Sequence, residues 1–386
     1  MRFLIDARPL VDPIQGGVSR VARGLIDAFV KNREDDEIIF ATTGAKTAFV
    51  VAGLSRPPLF PRPGRGNIGE GRDKPAPTHI HLNCPNKIWS AACMTGLASL
   101  DLAVEKKVGK IDAIFLPNLG FVGRIAMRPY ILLLHDLSFL IEPRWFSLKS
   151  RLWHKAISAK RCIQNAAHLL AVSETTKRDA MRLLNIPEER ITVIPIGFSL
   201  PSPATHYSLD RGGRDKPAPT PNKYILALGG NDPRKNTGTA VRAVEDLRRE
   251  KDFSDLELIL VGAGLSRPPL FDGSWVHHIQ RPSDSELAAL YSNASAFLYP
   301  SWYEGYGLPL HEAAAFGTPR IASTAGALPE TAPPGTLFAD PAKPRHWAEA
   351  LKMALSMPKP PMITSDPEAW SRAAAILSNT LDIIAK

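Results

Sequence analysis

Ser301-Trp-Tyr-Glu304-Gly-Tyr-Gly307-Leu-Pro309-Leu-His-Glu312-Ala-Ala-Ala-Phe316-Gly317 is the stretch on which the fold turns. It follows a short apolar run, Ala296 to Tyr299, and leads into a helical pattern with Pro309 near the first helical position and Gly317 placed as a left-handed C-cap. The reading is strand, glycine-rich loop, helix. Its glycines, Gly305 and Gly307 among them, leave backbone N–H groups bare at the strand's carboxyl end, where free donors and the helix dipole favour an anion such as a diphosphate. Glu304 in the loop and Glu312 in the first turns of the helix can face one cleft, where carboxylates accept hydrogen bonds from hydroxyl groups. The plainer reading makes them a loop acid and an exposed helix acid.

The same alternation of short β-rich runs and longer helical patterns extends in both directions, which is the signature of parallel sheets built from βαβ units. In the first half, strands are predicted near Phe3 to Asp6, Glu37 to Thr42, Ala113 to Leu116, Tyr130 to Leu134, Leu169 to Val172 and Thr192 to Ile194. In the second half they fall near Tyr224 to Leu228, Leu256 to Val261, Trp275 to Ile279, Ala296 to Tyr299, Arg320 to Ala322 and Thr336 to Phe338. The Pro- and Gly-rich segment 201–222 separates the sets. The expected organisation is therefore an α/β domain over 1–200, a linker over 201–222, a second α/β domain over 223–365, and a final helix over 366–386 returning to the first domain. A chain of 386 residues, 44% hydrophobic and 22% charged, has apolar surface for two cores. No uncharged apolar run reaches the length of a spanning helix, and Arg2, Asp6 and Arg8 interrupt any leader-like start, so a cytoplasmic setting is expected. Cys84, Cys93 and Cys162 are too scattered for a disulfide framework or zinc site and read as buried thiols.

The net charge of +9 is unevenly placed, because residues 1–200 carry 28 Lys/Arg against 18 Asp/Glu. From Pro143 to Ser173 no acidic residue occurs, while Arg144, Lys149, Arg151, Lys155, Lys160 and Arg161 are interleaved with Trp145, Phe146 and Trp153. Leu148, Leu152, Ala156, Ala159 and Ile163 share one helical face, so two readings stand: a core-packed helix with a basic exterior, or a membrane-surface contact. Nucleic acid is not expected, since no recognition motif accompanies the charge.

Two exact repeats are also present. Ala52 to Phe60 recurs at Ala263 to Phe271, and Gly71 to Thr78 recurs at Gly213 to Thr220. They lack the uniform period of a solenoid and lie where strand patterns end, which suggests in-frame insertions tolerated in loops. The block 53–77 is accordingly expected to be a non-catalytic inserted loop.

Several further motifs have physical readings of their own. Gly16-Gly17 precedes an amphipathic helix with Val18, Val21, Leu25 and Phe29 on one face, and can bring bare backbone close to a phosphate. Arg234-Lys235 follows the strand Tyr224 to Leu228 directly before a helix, where two cations offset charge building on a phosphate leaving group. His135 ends the apolar strand Tyr130 to Leu134, at the edge where α/β sheets bind ligands.

Taken in order, Gly16 to Arg20, His135 to Phe139, Val172 to Lys177, Ile191 to Gly197, Pro233 to Asn236, Glu304 to Glu312 and Gly326 to Glu330 resemble the retaining, nucleotide-sugar-dependent glycosyltransferases of family 4, with Glu304 and Glu312 on that family's Glu-x7-Glu element. The resemblance implies a GT-B fold, with two Rossmann-like parallel-sheet domains facing across a cleft. It places Lys235 on the donor diphosphate, with Arg234, Gly305, Gly307, Gly16 and Gly17 beside it. Glu304 and His135 would serve the reacting sugar, and Glu312 the donor ribose. A second basic contact of the family falls here on Gly229-Gly230-Asn231, leaving Arg234 as its substitute. Retention in such enzymes is ascribed to front-face substitution, the departing phosphate helping to take the acceptor proton, so no dedicated base is required.

Overall likeness points to mannose from GDP-mannose, delivered to a glycan or lipid-linked saccharide in surface polysaccharide assembly, and the basic first domain suits an acceptor held at the inner membrane face. No cofactor and no metal are expected, since no Asp-x-Asp lies at a strand end. Three rivals remain: a glycoside hydrolase using the paired carboxylates, a nucleotide-sugar epimerase of the same fold, and a catalytically silent sugar-binding scaffold. A dinucleotide oxidoreductase is disfavoured, because Gly262-Ala-Gly264 lacks a third glycine and runs into Pro268-Pro269.

Overall fold

The computed structural model describes residues 1–10, 16–33, 35–43, 77–120, 128–198, 223–262 and 274–386. The expected linker 201–222, the repeat copies at 52–60, 213–220 and 263–271, and the loop 53–77 apart from Pro77 lie outside these residues.

The first sheet comprises β1 (Arg2–Asp6), β2 (Glu37–Thr43), β3 (Thr78–Leu82), β4 (Ala113–Leu116), β5 (Tyr130–Leu134), β6 (His168–Ala171) and β7 (Ile191–Val193). The second comprises β8 (Tyr224–Leu228), β9 (Glu257–Val261), β10 (Val276–Ile279), β11 (Ala296–Tyr299), β12 (Arg320–Ser323) and β13 (Leu337–Ala339). Their orders are β3-β2-β1-β4-β5-β6-β7 and β10-β9-β8-β11-β12-β13. Every pairing is parallel, from β1 on β2 with Phe3 opposite Ile38 to β12 on β13 with Ile321 opposite Leu337. Each sheet runs outward in both directions from its first strand, so each has a switch point, between β1 and β4 and between β8 and β11. This is the doubly wound GT-B arrangement.

The central strands are buried along their whole length, Tyr130-Ile-Leu-Leu-Leu134 and Ala296-Phe-Leu-Tyr299 being continuous apolar runs because helices cover both sheet faces. The exception is β3. It carries His79 and His81 and is mostly half-exposed at the sheet edge, which is why apolar patterning misses it.

Among the described residues, the helices longer than one turn are α1 (Gly17–Lys31), α2 (Asn86–Met94), α3 (Leu100–Val108), α4 (Leu148–Ala156), α5 (Ala159–Gln164), α6 (Glu174–Leu184), α7 (Thr237–Arg248), α8 (Asp284–Asn293), α9 (Leu308–Ala315), α10 (Pro344–Ser356) and α11 (Ala369–Ile384). On α1, Val21, Ala22, Leu25, Ile26 and Phe29 face the first sheet, and Ala373, Ala374, Leu377 and Leu381 of α11 join the same core. The chain's last helix is thus built into the first domain.

The basic stretch departs from a single core-packed helix. Ser158 adopts a left-handed conformation, φ 52°, and breaks the pattern into α4 and α5. Ala159 and Ile163 of α5 are buried, whereas Leu148 and Leu152 of α4 are 71% and 66% exposed. Among the described residues Cys84, Cys93 and Cys162 form no disulfide and are half-buried rather than buried, and burial pushes the Cys93 thiol up to about 11.

Candidate active site

The loop between β11 and α9 is seated from three sides. Trp302 donates its N–H to the Arg234 carbonyl (2.8 Å), Ala327 donates to the Glu304 carbonyl (2.9 Å), and the Tyr303 hydroxyl donates to Asp179 of α6 in the first domain (2.6 Å). Gly307 has φ 97° and N-caps α9, a conformation that favours glycine, with Pro309 in the first turn behind it. Gly305 is required by proximity instead, since a Cβ there would lie 1.9 Å from the His135 carbonyl oxygen. The two domains touch at that point.

This seating fixes Glu304, which is 6% exposed. Its Oε1 accepts from Lys235 Nζ (2.7 Å) and its Oε2 from Arg234 Nη1 (3.0 Å). Burial acts to raise the carboxyl, but the charges of Lys235 and Arg234 outweigh it and hold Glu304 down at about 2. Lys235 Nζ also donates to the Tyr299 hydroxyl (2.8 Å) and lies 4.9 Å from that ring's centroid, so its ammonium is fixed at the end of β11. Arg234 binds the Tyr303 carbonyl (3.1 Å) and Asp232 (3.4 Å), and comes within 3.9 Å of Asp136 across the cleft. Burial would lower the Arg234 guanidinium, yet Glu304, Asp136 and Asp232 together keep it above its ordinary value.

Glu312, on α9, is 7% exposed. Its Oε1 accepts from Arg20 Nη1 of α1 (2.5 Å) and its Oε2 from the Tyr291 hydroxyl (2.9 Å). Arg20 bonds Asp284 with its other terminal nitrogen (2.6 Å), so one arginine of the first domain ties two elements of the second. His135 is half-buried at the cavity wall and its Nε2 pairs with the Pro117 carbonyl (2.9 Å). That bond assigns the proton to Nε2, leaving Nδ1 as the only ring nitrogen open to a ligand. Burial lowers its pKa, so the ring is neutral near pH 7.

All nine residues singled out from the sequence line one cavity of about 320 Å³ between the domains: Glu304, His135, Lys235, Arg234, Gly305, Gly307, Gly16, Gly17 and Glu312. The cavity lies at the carboxyl ends of β8 and β11 on one side, and follows β1 and β5 on the other. Cationic Lys235 and Arg234, the start of α9 and the acids Glu304 and Glu312 therefore meet in one volume. That combination suits an anionic phosphate joined to a hydroxyl-rich group.

Residues 15–200 match the family described as Glycosyltransferase Family 4, and residues 222–357 match Glycosyl transferases group 1. The chain thus carries a Glycosyltransferase Family 4 domain followed by a Glycosyl transferases group 1 domain. The O-antigen chain mannosyltransferase B of Escherichia coli is 31% identical over 225 residues, covering 54% of this chain and 56% of that protein. The MMP alpha-(1->4)-mannosyltransferase of Mycolicibacterium hassiacum is 33% identical over 196 residues, covering 49% of this chain and 45% of that one. The chain thus spans about half the length of the curated relatives it matches. The sucrose-phosphate synthase from Thermosynechococcus elongatus superposes with a TM-score of 0.63 over 100% of this chain and 95% of that one, at 18% identity, a likeness of fold.

In this glycosyltransferase site, sequence reasoning assigned no role to Arg20, Asp136, Tyr291 or Tyr299. Arg20 and Asp136 stand inside quoted motifs, but what they meet comes from the other domain and leaves no local signal. Tyr291 and Tyr299 read as core aromatics, and only their hydroxyl partners reveal a second task.

Proposed function

We propose that the chain is a retaining glycosyltransferase that moves a sugar from a nucleotide-diphosphate donor to a glycan or lipid-linked saccharide. Mannose, carried by GDP-mannose, is the first candidate, in keeping with the mannosyltransferases among its relatives. Surface polysaccharide assembly at the inner, cytoplasmic membrane face is the setting we propose with it. The observation that carries the reading is the Glu304 clamp: one buried carboxylate held between Lys235 and Arg234, at a sheet switch point, beside the start of α9.

In this reading the diphosphate enters above Gly16-Gly17 and against Lys235 and Arg234, whose charge offsets the negative charge growing on the departing phosphate. Lys235 then shares its donors between phosphate and Glu304, while Glu304 accepts from sugar hydroxyls. Glu312, oriented by Arg20 and Tyr291, takes the ribose hydroxyls. The acceptor oxygen attacks on the face from which the phosphate leaves, its proton passing to the departing phosphate oxygen. His135 offers Nδ1 to a sugar or acceptor hydroxyl. The two fixed cations provide the positive field, so the proposed reaction requires no metal.

The carboxylate environment disfavours glycoside hydrolysis. A hydrolase needs one carboxyl that stays protonated until it delivers a proton, and here both acids are tied to cations, Glu304 to Lys235 and Arg234 and Glu312 to Arg20. An epimerase would share fold and cleft but convert donor without an acceptor. The test is transfer of labelled mannose from GDP-mannose to a lipid-extract acceptor, with the product anomer read by NMR. Labelled product with the donor's configuration supports the proposal. Donor conversion in the absence of acceptor supports epimerisation, and no reaction with any nucleotide sugar supports a silent scaffold.

A further inference from the structure

A second cavity, of about 410 Å³, lies in the first domain against α4 and α5. Phe139, Leu140 and Pro143 give it an apolar wall, and Arg151, Lys155, Lys160 and Arg161 stand around it. These four cations are exposed, and among the described residues none of them forms an ion pair with a carboxylate. Glu142, directly before the stretch, is already bound by Arg144 (2.6 Å). Next to the cavity, Leu148 and Leu152 stand one helical turn apart on α4, both mostly in solvent, with Trp153 38% exposed beside them.

Exposed leucines one turn apart have no role in a solvated helix, and four uncompensated cations have none in a core-facing one. The two together match an interfacial helix, whose apolar side chains enter the headgroup boundary while lysine and arginine meet lipid phosphate. We propose that α4, α5 and the groove between them and Phe139 form a docking site for the surface of an anionic phospholipid bilayer. Leu148 and Leu152 enter the interface, and the cations around the groove receive the headgroup phosphates. Nucleic acid would use the same charge, but it gains nothing from leucines.

This gives the membrane-face setting proposed above a location on the chain. It stands on α4 and α5 rather than on sugar transfer, so an active transferase indifferent to vesicles would overturn this inference alone. The surface also adjoins the active site, since Phe139 stands three residues after Asp136, which with His135 lines the first cavity.

The test is co-flotation of the full chain with vesicles of phosphatidylcholine alone and of phosphatidylcholine mixed equally with phosphatidylglycerol. Binding is expected only to the anionic vesicles, and is expected to fall steeply toward about 1 M salt, where the Debye length is about 3 Å. Lys155→Glu/Lys160→Glu is expected to weaken it more than tenfold, since one basic residue near such a surface is worth roughly fivefold. Leu148→Ser/Leu152→Ser is expected to weaken it severalfold without changing the charge. Both variants alter exposed side chains, so an unchanged unfolding midpoint verifies the fold. Equal binding to neutral vesicles, no vesicle binding, undiminished binding by both variants, or capture by an oligonucleotide in place of vesicles overturns the proposal.

Discussion

Glu304 is the residue on which most of the site's chemistry converges, and its environment makes matching predictions for acid and for mutation. Its folded-state pKa of about 2 lies below the ordinary 4.5. The stabilisation it provides, on the order of 3 kcal/mol, is therefore complete above about pH 4.5 and disappears as pH falls toward 2. Glu304→Gln should cost a similar amount at pH 7, because it leaves Lys235 and Arg234 largely buried without their carboxylate. Urea unfolding of both proteins between pH 7 and pH 3 checks this, the two curves converging in acid. Gly305→Ala tests the contact between the domains. Its Cβ meets the His135 carbonyl, so the loop must move by about 1 Å or more, and kcat is expected to fall roughly 100-fold. At this scale the sequence was informative about which residues matter and poor about what they touch. Glu304, Lys235 and His135 stand in motifs that could be picked out by eye. The pairing of Glu312 with Arg20, 292 positions away, is a product of folding that no local pattern announces.

At the scale of elements, α1 and α11 carry the argument. α1 has its apolar face in the first core and its amino end at the cavity, where Arg20 reaches Glu312 and Asp284. Arg20→Ala should raise the donor KM about tenfold, the scale of one charge-assisted hydrogen bond, with Arg20→Lys restoring part of it. A purely structural role would lower stability and leave the ratio of kcat to KM for the surviving enzyme unchanged. α11 follows the second sheet in sequence yet completes the first core, so Leu377→Ala should destabilise the first domain by about 2–5 kcal/mol. Calorimetry resolves which transition shifts. Twelve of the thirteen strands among the described residues were legible as apolar runs because both faces of each sheet are covered. β3 was not, since an edge strand with two histidines does not show that pattern, and the repeat sequence runs into its first residue, Thr78. The helix α4 was left between two readings for a related reason. A stripe of leucines looks the same in sequence whether it faces a core or solvent.

For the whole molecule, two doubly wound sheets present their carboxyl edges to a common cavity, and nine residues drawn from four motifs meet there. The inserted block before β3 is expected to be dispensable. Replacing 53–76 with a short Gly/Ser turn, keeping Thr78–Leu82 on β2, should leave turnover within about twofold, because loop length enters closure entropy only logarithmically. The central claim is that the cavity between the domains binds a nucleotide diphosphate through Lys235 and the start of α9. Its most direct test is a calorimetric titration of the full chain and of Lys235→Ala with GDP, UDP and ADP. One of the three should saturate the wild-type protein at one site per chain, and the variant should bind it at least tenfold more weakly. Failure of all three to bind, or equal affinity in the variant, would contradict the account.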